Sequence, residues 1–168
     1  MALTQSGYRE AELLTNRASL LLFGGTDDER RSWAEEAASH FEAEGPLVEV
    51  RTGAELLEAL RAPRGVVFIT DITKVEVTSQ RLLVRCLQVQ EERPKVVVGV
   101  AGSVERARES GILLDDLHYR LVQAQVDLQV AGLRELVAKR KVARKAAAAE
   151  KALARKAAVA ASKPGTRR

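Results

Sequence analysis

Five short apolar runs punctuate the first 130 residues: SLLLFGG (19–25), LVEV (47–50), GVVFIT (65–70), KVVVGVA (95–101) and AQVDLQV (124–130). Several of them are apolar at consecutive positions, so both faces of the strand they form must be covered. Between them lie segments with helical spacing. Strand and helix therefore alternate about five times, which predicts an α/β fold: a mostly parallel five-stranded sheet with helices on both sides. This pattern constrains the chain more than any single motif, and no internal repeat competes with it.

The helical segments carry their own punctuation. TDDERRSWAEEAASHFEAEG opens on Thr26 as a cap with acids in its first turn. Trp33, Ala34, Ala37 and Phe41 recur at helical spacing, and Gly45-Pro46 stops the segment. Thr52 caps the next helix, GAELLEAL, with Glu55 three residues on as a capping box. TSQRLLVRCLQVQEE (78–92) is amphipathic and ends ahead of Pro94. SVERARESG and DDLHYRLVQ predict two short helices, and GYREAELLTNR (7–17) a lead-in helix or arm.

After Gly132 the composition changes. LRELVAKRKVARKAAAAEKALARKAAVAASKPGTRR favours helix strongly but offers few large apolar groups, so it cannot build a core. The formal charge of +4 divides sharply there: residues 137–168 carry 11 Lys/Arg and one acid, for +10, and residues 1–136 carry 16 Lys/Arg and 22 acids, for −6. The reading is an N-terminal arm or helix over 1–18, a core over 19–136 and a basic tail over 137–168. On a helix, Arg140, Arg144, Lys151 and Arg155 form one stripe, with Lys141, Lys145 and Lys156 beside it and Lys139 at its start. Such a half-cylinder suits phosphates with little base readout. It contains no aromatic residue to stack on single strands. The competing reading is a solvated extension, or one that docks on an acidic partner. The expected partners are thus a protein or a second copy, with DNA reached through the tail.

Other classes are excluded or disfavoured. Cys86 is the single cysteine, so no internal disulfide forms, which fits a reducing cytoplasm. The opening MALTQSGYREAELL has no basic flank followed by an apolar run, and no run is long enough to cross a membrane. The expected location is cytoplasmic, without membrane attachment. His40 and His118 lack the Cys/His spacing of a zinc site. No metal or cofactor is expected.

GVVFITDI, QRLLVRCLQ (80–88), GILLDDLHYRL (111–121) and VAGLREL (130–136) follow one another in the order and spacing of a known family. The chain resembles the AAA+ ATPase domain of bacterial sigma-54-dependent activators, the NtrC-type enhancer-binding proteins. Their corresponding segments read GTLFLDEI, QxxLLRxLQ, GxFRxDLYYRL and LPPLRER. The likeness covers some 70 residues, with a weaker match back to Leu20. It implies an AAA+-like three-layer fold and a place in transcription control.

The departures from the family concentrate at its nucleotide site. The phosphate loop GxxGxGK aligns with Gly24-Gly25-Thr26-Asp27-Asp28-Glu29-Arg30, so three acids stand where glycines and a small polar residue are needed, and Arg30 stands at the lysine. Three carboxylates at a helix N-terminus suit its dipole and repel a triphosphate. The acidic pair of the third strand aligns with Thr70-Asp71. Of two arginines offered to a neighbour's nucleotide, the first aligns with Leu114 and the second with Arg120. The sigma-contacting loop, the sensor Asn and the helical lid are missing. Phosphoryl transfer needs its charge stabilisers together. The resemblance therefore implies a pseudo-ATPase, with Gly24, Gly25, Thr26, Arg30, Thr70, Asp71 and Arg120 as degenerate site positions. Bland roles are expected for several of these residues: a turn cap for Asp71, an ion pair with Asp116 for Arg120, and core packing for His118 and Cys86.

Overall fold

The computed structural model describes residues 9–162. Five strands alternate with helices: β1 Leu20–Phe23, β2 Val48–Val50, β3 Val66–Ile69, β4 Lys95–Val100 and β5 Gln125–Asp127. They form one sheet in the order β2-β3-β4-β1-β5, and every pair is parallel. Seven helices accompany them: α1 Glu10–Thr15, α2 Asp27–His40, α3 Gly53–Ala59, α4 Val77–Val89, α5 Val104–Glu109, α6 Asp115–Leu121 and α7 Leu133–Ala161. The compact unit runs to Arg134, and the remainder of α7 is a second unit.

The two-sided apolar runs have the predicted consequence. Leu21, Val67, Ile69, Val96 and Val98 share one buried cluster with Leu56 of α3, Leu83 of α4, Ala107 of α5 and Leu117 of α6. Their strand neighbours Leu20, Leu22, Phe68 and Val97 are equally buried, and point to the opposite face by the two-residue period. Helix α2 packs against β3 and β4, with Trp33, Ala34 and Ala37 buried. Gly99 lets the middle of the sheet close: a Cβ there would stand 2.5 Å from the Thr70 carbonyl oxygen.

The caps follow the sequence with two local differences. Thr26 accepts from the Glu29 amide and Thr52 from the Glu55 amide. The Glu55 carboxylate, however, reaches back to the amide of Arg51, one residue before the cap, at 2.7 Å. Helix α2 ends at His40, and a 3₁₀ turn over Glu42–Glu44 precedes Gly45. There the Arg17 guanidinium lies 4.6 Å from the centre of the Phe41 ring and pairs with Glu44, which anchors the turn from outside the helix.

Helix α1 is no loose arm. Leu13 and Leu14 are buried, and Lys95, 1% exposed at the start of β4, reaches its C-terminal end. The Lys95 Nζ donates to the carbonyls of Leu13 (2.8 Å), Asn16 (2.7 Å) and Ala18 (2.7 Å). Burial, followed by the nearby Arg17 charge, pulls the ammonium down to about 7. The unfolded chain keeps this proton to the ordinary lysine value near 10.4. Between pH 7 and 9 the unfolded state therefore binds more protons, and stability rises with pH by at most ~1.4 kcal/mol per unit. Urea melts at pH 7, 8 and 9 should show the rise, and Lys95→Met should flatten it.

Candidate functional site: the strand-end edge and the basic helix

All five strands run the same way, so their C-terminal ends share one edge of the sheet, where open α/β sheets bind ligands. Gly24, Gly25 and Thr26 follow β1 at this edge, and Thr70 and Asp71 follow β3. Only β4 lies between those strands, which sets the two groups roughly 10 Å apart.

The connection from β1 to α2 is three residues long. Gly24 and Gly25 turn it at φ of 71° and 64°, values that favour glycine. The side chain of Arg30, 2% exposed, folds back beneath the turn. Its Nη1 donates to the carbonyls of Gly24 (3.2 Å) and Gly25 (3.1 Å), and its Nη2 binds the Asp27 carboxylate. A phosphate cradle needs backbone N–H groups converging on an open space beside a free cation. Here the cation is consumed by the loop's own carbonyls. The near side is occupied as well: a Cβ on Gly24 would meet the Asp127 carboxylate at 2.8 Å, and one on Gly25 the Glu29 carboxylate at 2.9 Å.

The three acids of the first turn divide their roles. Glu29 lies against the loop, with its carboxylate 2.8 Å from the Arg134 guanidinium. Asp27 holds Arg30, and Asp28 turns outward to Arg31. Of the three acids that the sequence sets at the loop, only Glu29 lies against Gly25; Asp127 of β5 lies against Gly24, and Asp28 points away. Arg31 also grips Glu49 of β2 through two hydrogen bonds of 3.2 and 2.8 Å, which hold that carboxyl below its ordinary range.

At the end of β3, Thr70 faces the Val50 carbonyl, with its hydroxyl at 3.5 Å and its amide bonded at 3.1 Å. The Asp71 Oδ1 accepts from the Thr73 amide (3.1 Å) and hydroxyl (2.7 Å), so the carboxylate closes its own turn. Arg120 is exposed on α6. The expected ion pair with Asp116 is absent: Asp115 takes the pairing role instead, with Arg108 at 3.2 Å. Exposed pairs one turn apart are worth little, and nothing here forces this one to form. Arg120 is thus not brought to the loop by any contact.

Two residues of this edge have surroundings that the sequence did not show. Gln80 is fully buried, and its amide donates to the carbonyls of Val75 (2.9 Å) and Ile112 (2.7 Å) while its oxygen accepts from the Leu114 amide (3.0 Å). It ties the loop after β3 to the loop before α6. His118 lines a cleft of about 450 Å³ with Phe23, Ser103 and Arg108. Burial and the Arg108 charge hold its imidazole below the ordinary value. Burial pushes the Cys86 thiol up, and its Sγ lies 3.0 Å from Gln90 Oε1, which fits an unreactive packing residue.

The second unit is simpler. Helix α7 is continuous from Leu133 to Ala161, so the predicted stripe of Arg140, Arg144, Lys151 and Arg155 falls within one unbroken helix. Lys139, Lys145, Lys151, Arg155 and Lys156 are exposed, whereas Arg140, Lys141 and Arg144 are half-buried. From Lys139 to Lys156 the helix rises roughly 25 Å.

Among the described residues, no group of three or more His, Cys, Asp or Glu side chains is placed to hold a metal ion, and no helix is long and apolar enough to cross a membrane. No family model and no curated protein matches the sequence. Solved structures do match in fold. NtrX from Brucella abortus in complex with ATP superposes with a TM-score of 0.57 at 16% identity, over 70% of this chain and 33% of that one. The NtrX complex with ADP gives 0.52 at 16% identity, over 75% and 38%. The P-loop NTPase domain of the sigma-54 transport activator from E. coli gives 0.58 at 19% identity, over 70% and 95%. The chain thus spans about a third of the length of the NtrX chains. These likenesses define the class: an α/β fold of AAA+-like P-loop NTPase architecture. Within that class, the structures it resembles include a sigma-54 activator domain and NtrX.

Proposed function

We propose that the protein is a non-catalytic regulator that acts by contact, with a sigma-54-activator-like core that engages protein and a basic helix that attracts duplex DNA. The observation that carries this reading is the three-residue β1–α2 loop, whose carbonyls are capped by Arg30. Arg30 is spent on the loop's own carbonyls, the Glu29 and Asp127 carboxylates lie against the loop, and Asp71 is engaged in its own turn, so the charges a triphosphate would need beside it are turned elsewhere. The core's partner is a true AAA+ subunit or a second copy of the chain. The tail contributes attraction to phosphates without choosing a sequence. A role in transcription regulation rests on the family resemblance.

Thermal melts with and without ATP and Mg²⁺, together with a phosphate-release assay, test the first half. The expected result is an unchanged melting temperature and no phosphate released. A clear upward shift would favour a residual nucleotide-binding switch. Steady phosphate release that is abolished in Asp71→Asn would refute the non-catalytic reading.

A further inference from the structure

Apart from Val48 on the edge strand β2, the compact unit exposes large apolar side chains in two places. Leu57 on α3 and Leu82 and Val89 on α4 are uncovered, Val89 by 72%. They line a groove of about 650 Å³ between the two helices, with Arg61 and Arg85 at its rim. Arg61 pairs with Glu58 at 3.1 Å, but Arg85 and the neighbouring exposed Arg81 have no acidic side chain within ion-pair distance among the described residues. The second place is α6 and the loop before it. Ile112 is exposed there, and Tyr119 is 76% exposed one turn from Asp115 and Asp116. Asp116 has no ion pair among the described residues, even with Arg120 four positions on, so its carboxylate is open to an outside cation.

The two surfaces are opposite in character. One is an apolar groove with the unpaired Arg85 at its rim and Arg81 beside it. The other is an exposed aromatic and aliphatic knob beside the open carboxylate of Asp116. Helix α4 packs against both α3 and α6, so the groove and the knob belong to different flanks of one helical layer. An apolar floor gives nothing to a phosphate backbone, which argues against nucleic acid as the occupant. Unpaired arginines argue against a basic helix.

We propose that the α3–α4 groove receives the Ile112–Tyr119 surface of a second copy of this chain. Tyr119 enters between Leu57, Leu82 and Val89, and Asp116 meets Arg85. Because the two surfaces differ, the contact is head-to-tail: the pair keeps one unused groove on one copy and one unused knob on the other, and growth continues unless the geometry closes. A few residues on each side fall short of the ~1,000 Å² expected of a stable interface, so the association is weak. It specifies the protein contact within the proposed function. Its test involves neither nucleotide nor DNA, so either reading can fail without the other.

Sedimentation equilibrium of the full chain from ~10 µM to ~1 mM at low salt tests it. The weight-average mass of the natural protein should rise with concentration. Leu82→Glu removes the groove and Tyr119→Glu removes the knob; both positions are exposed, and melting curves establish that each variant folds. Each alone should associate at least ~10-fold more weakly. Mixed one to one, the intact knob of the first should fit the intact groove of the second, giving a dimer that grows no further. Arg85→Glu combined in one mixture with Asp116→Arg should likewise restore pairing. A natural protein that stays monomeric throughout overturns the proposal. So does a mixture of variants that remains monomeric, or a single variant that associates like the natural chain.

Discussion

On the proposed reading, in which the basic helix attracts duplex DNA, replacing Arg140, Arg144, Lys151 and Arg155 together by glutamine should weaken that binding by about 10³-fold at 0.1 M salt. The size follows from counterion release: each neutralised phosphate adds ~0.9 to the slope of log affinity against log salt, so four add ~3.6. The four side chains lie along one stripe of the continuous helix α7. Glutamine preserves helix propensity, so the loss reports charge and not unfolding. Fluorescence anisotropy with an arbitrary 20-base-pair duplex, read across a salt series, measures both quantities. Affinity and slope should fall together, and a change of duplex sequence should matter little. An unchanged slope would mean that the helix meets something other than a phosphate backbone, with an acidic protein surface as the next candidate.

The second large effect is expected at Arg30. Removing its guanidinium by Arg30→Met leaves the Gly24 and Gly25 carbonyls without their donors and Asp27 without its cation, in a site from which the arginine was almost wholly buried. Loss of a buried, charge-assisted network of this kind costs about 3 kcal/mol, visible as a lower urea midpoint. Arg30→Lys should recover part of that loss, because a lysine can reach one carbonyl but cannot fork across two. It should not create ATP binding, even though it restores the lysine of the family motif. On the proposed non-catalytic reading, the obstruction lies in the loop's length and in Glu29 and Asp127 beside it. An ATP-dependent rise in melting temperature in Arg30→Lys would show that a single side chain had closed the site.

How much of this was legible in the sequence follows from how local each determinant is. The strands announced themselves because parallel sheets covered on both faces demand consecutive apolar residues. Caps at Thr26 and Thr52 were legible because donor and acceptor lie three residues apart. The early end of α2 at His40 was hidden, since it is enforced by Arg17 from another segment. Lys95 looked like the polar start of an apolar strand, yet its acceptors lie about eighty positions earlier in the chain. Gln80 was visible as a motif letter and not as the hub it forms with Ile112 and Leu114. The site was half legible: the acids and Arg30 could be placed at the loop from order alone. That Arg30 turns inward, that Asp28 turns away, and that Asp127 arrives from β5 are long-range facts no spacing rule contains.

The bond set of Lys95 has a bearing on how the molecule can be cut. Its ammonium is satisfied only by carbonyls that belong to the chain ahead of the first strand. Excising residues 1–18 as a dispensable leader would strand a cation against bare hydrocarbon, and the sheet would lose its keystone. A circular permutant or fusion that respects the piece from Glu10 onward has a sound foundation; one that trims it does not.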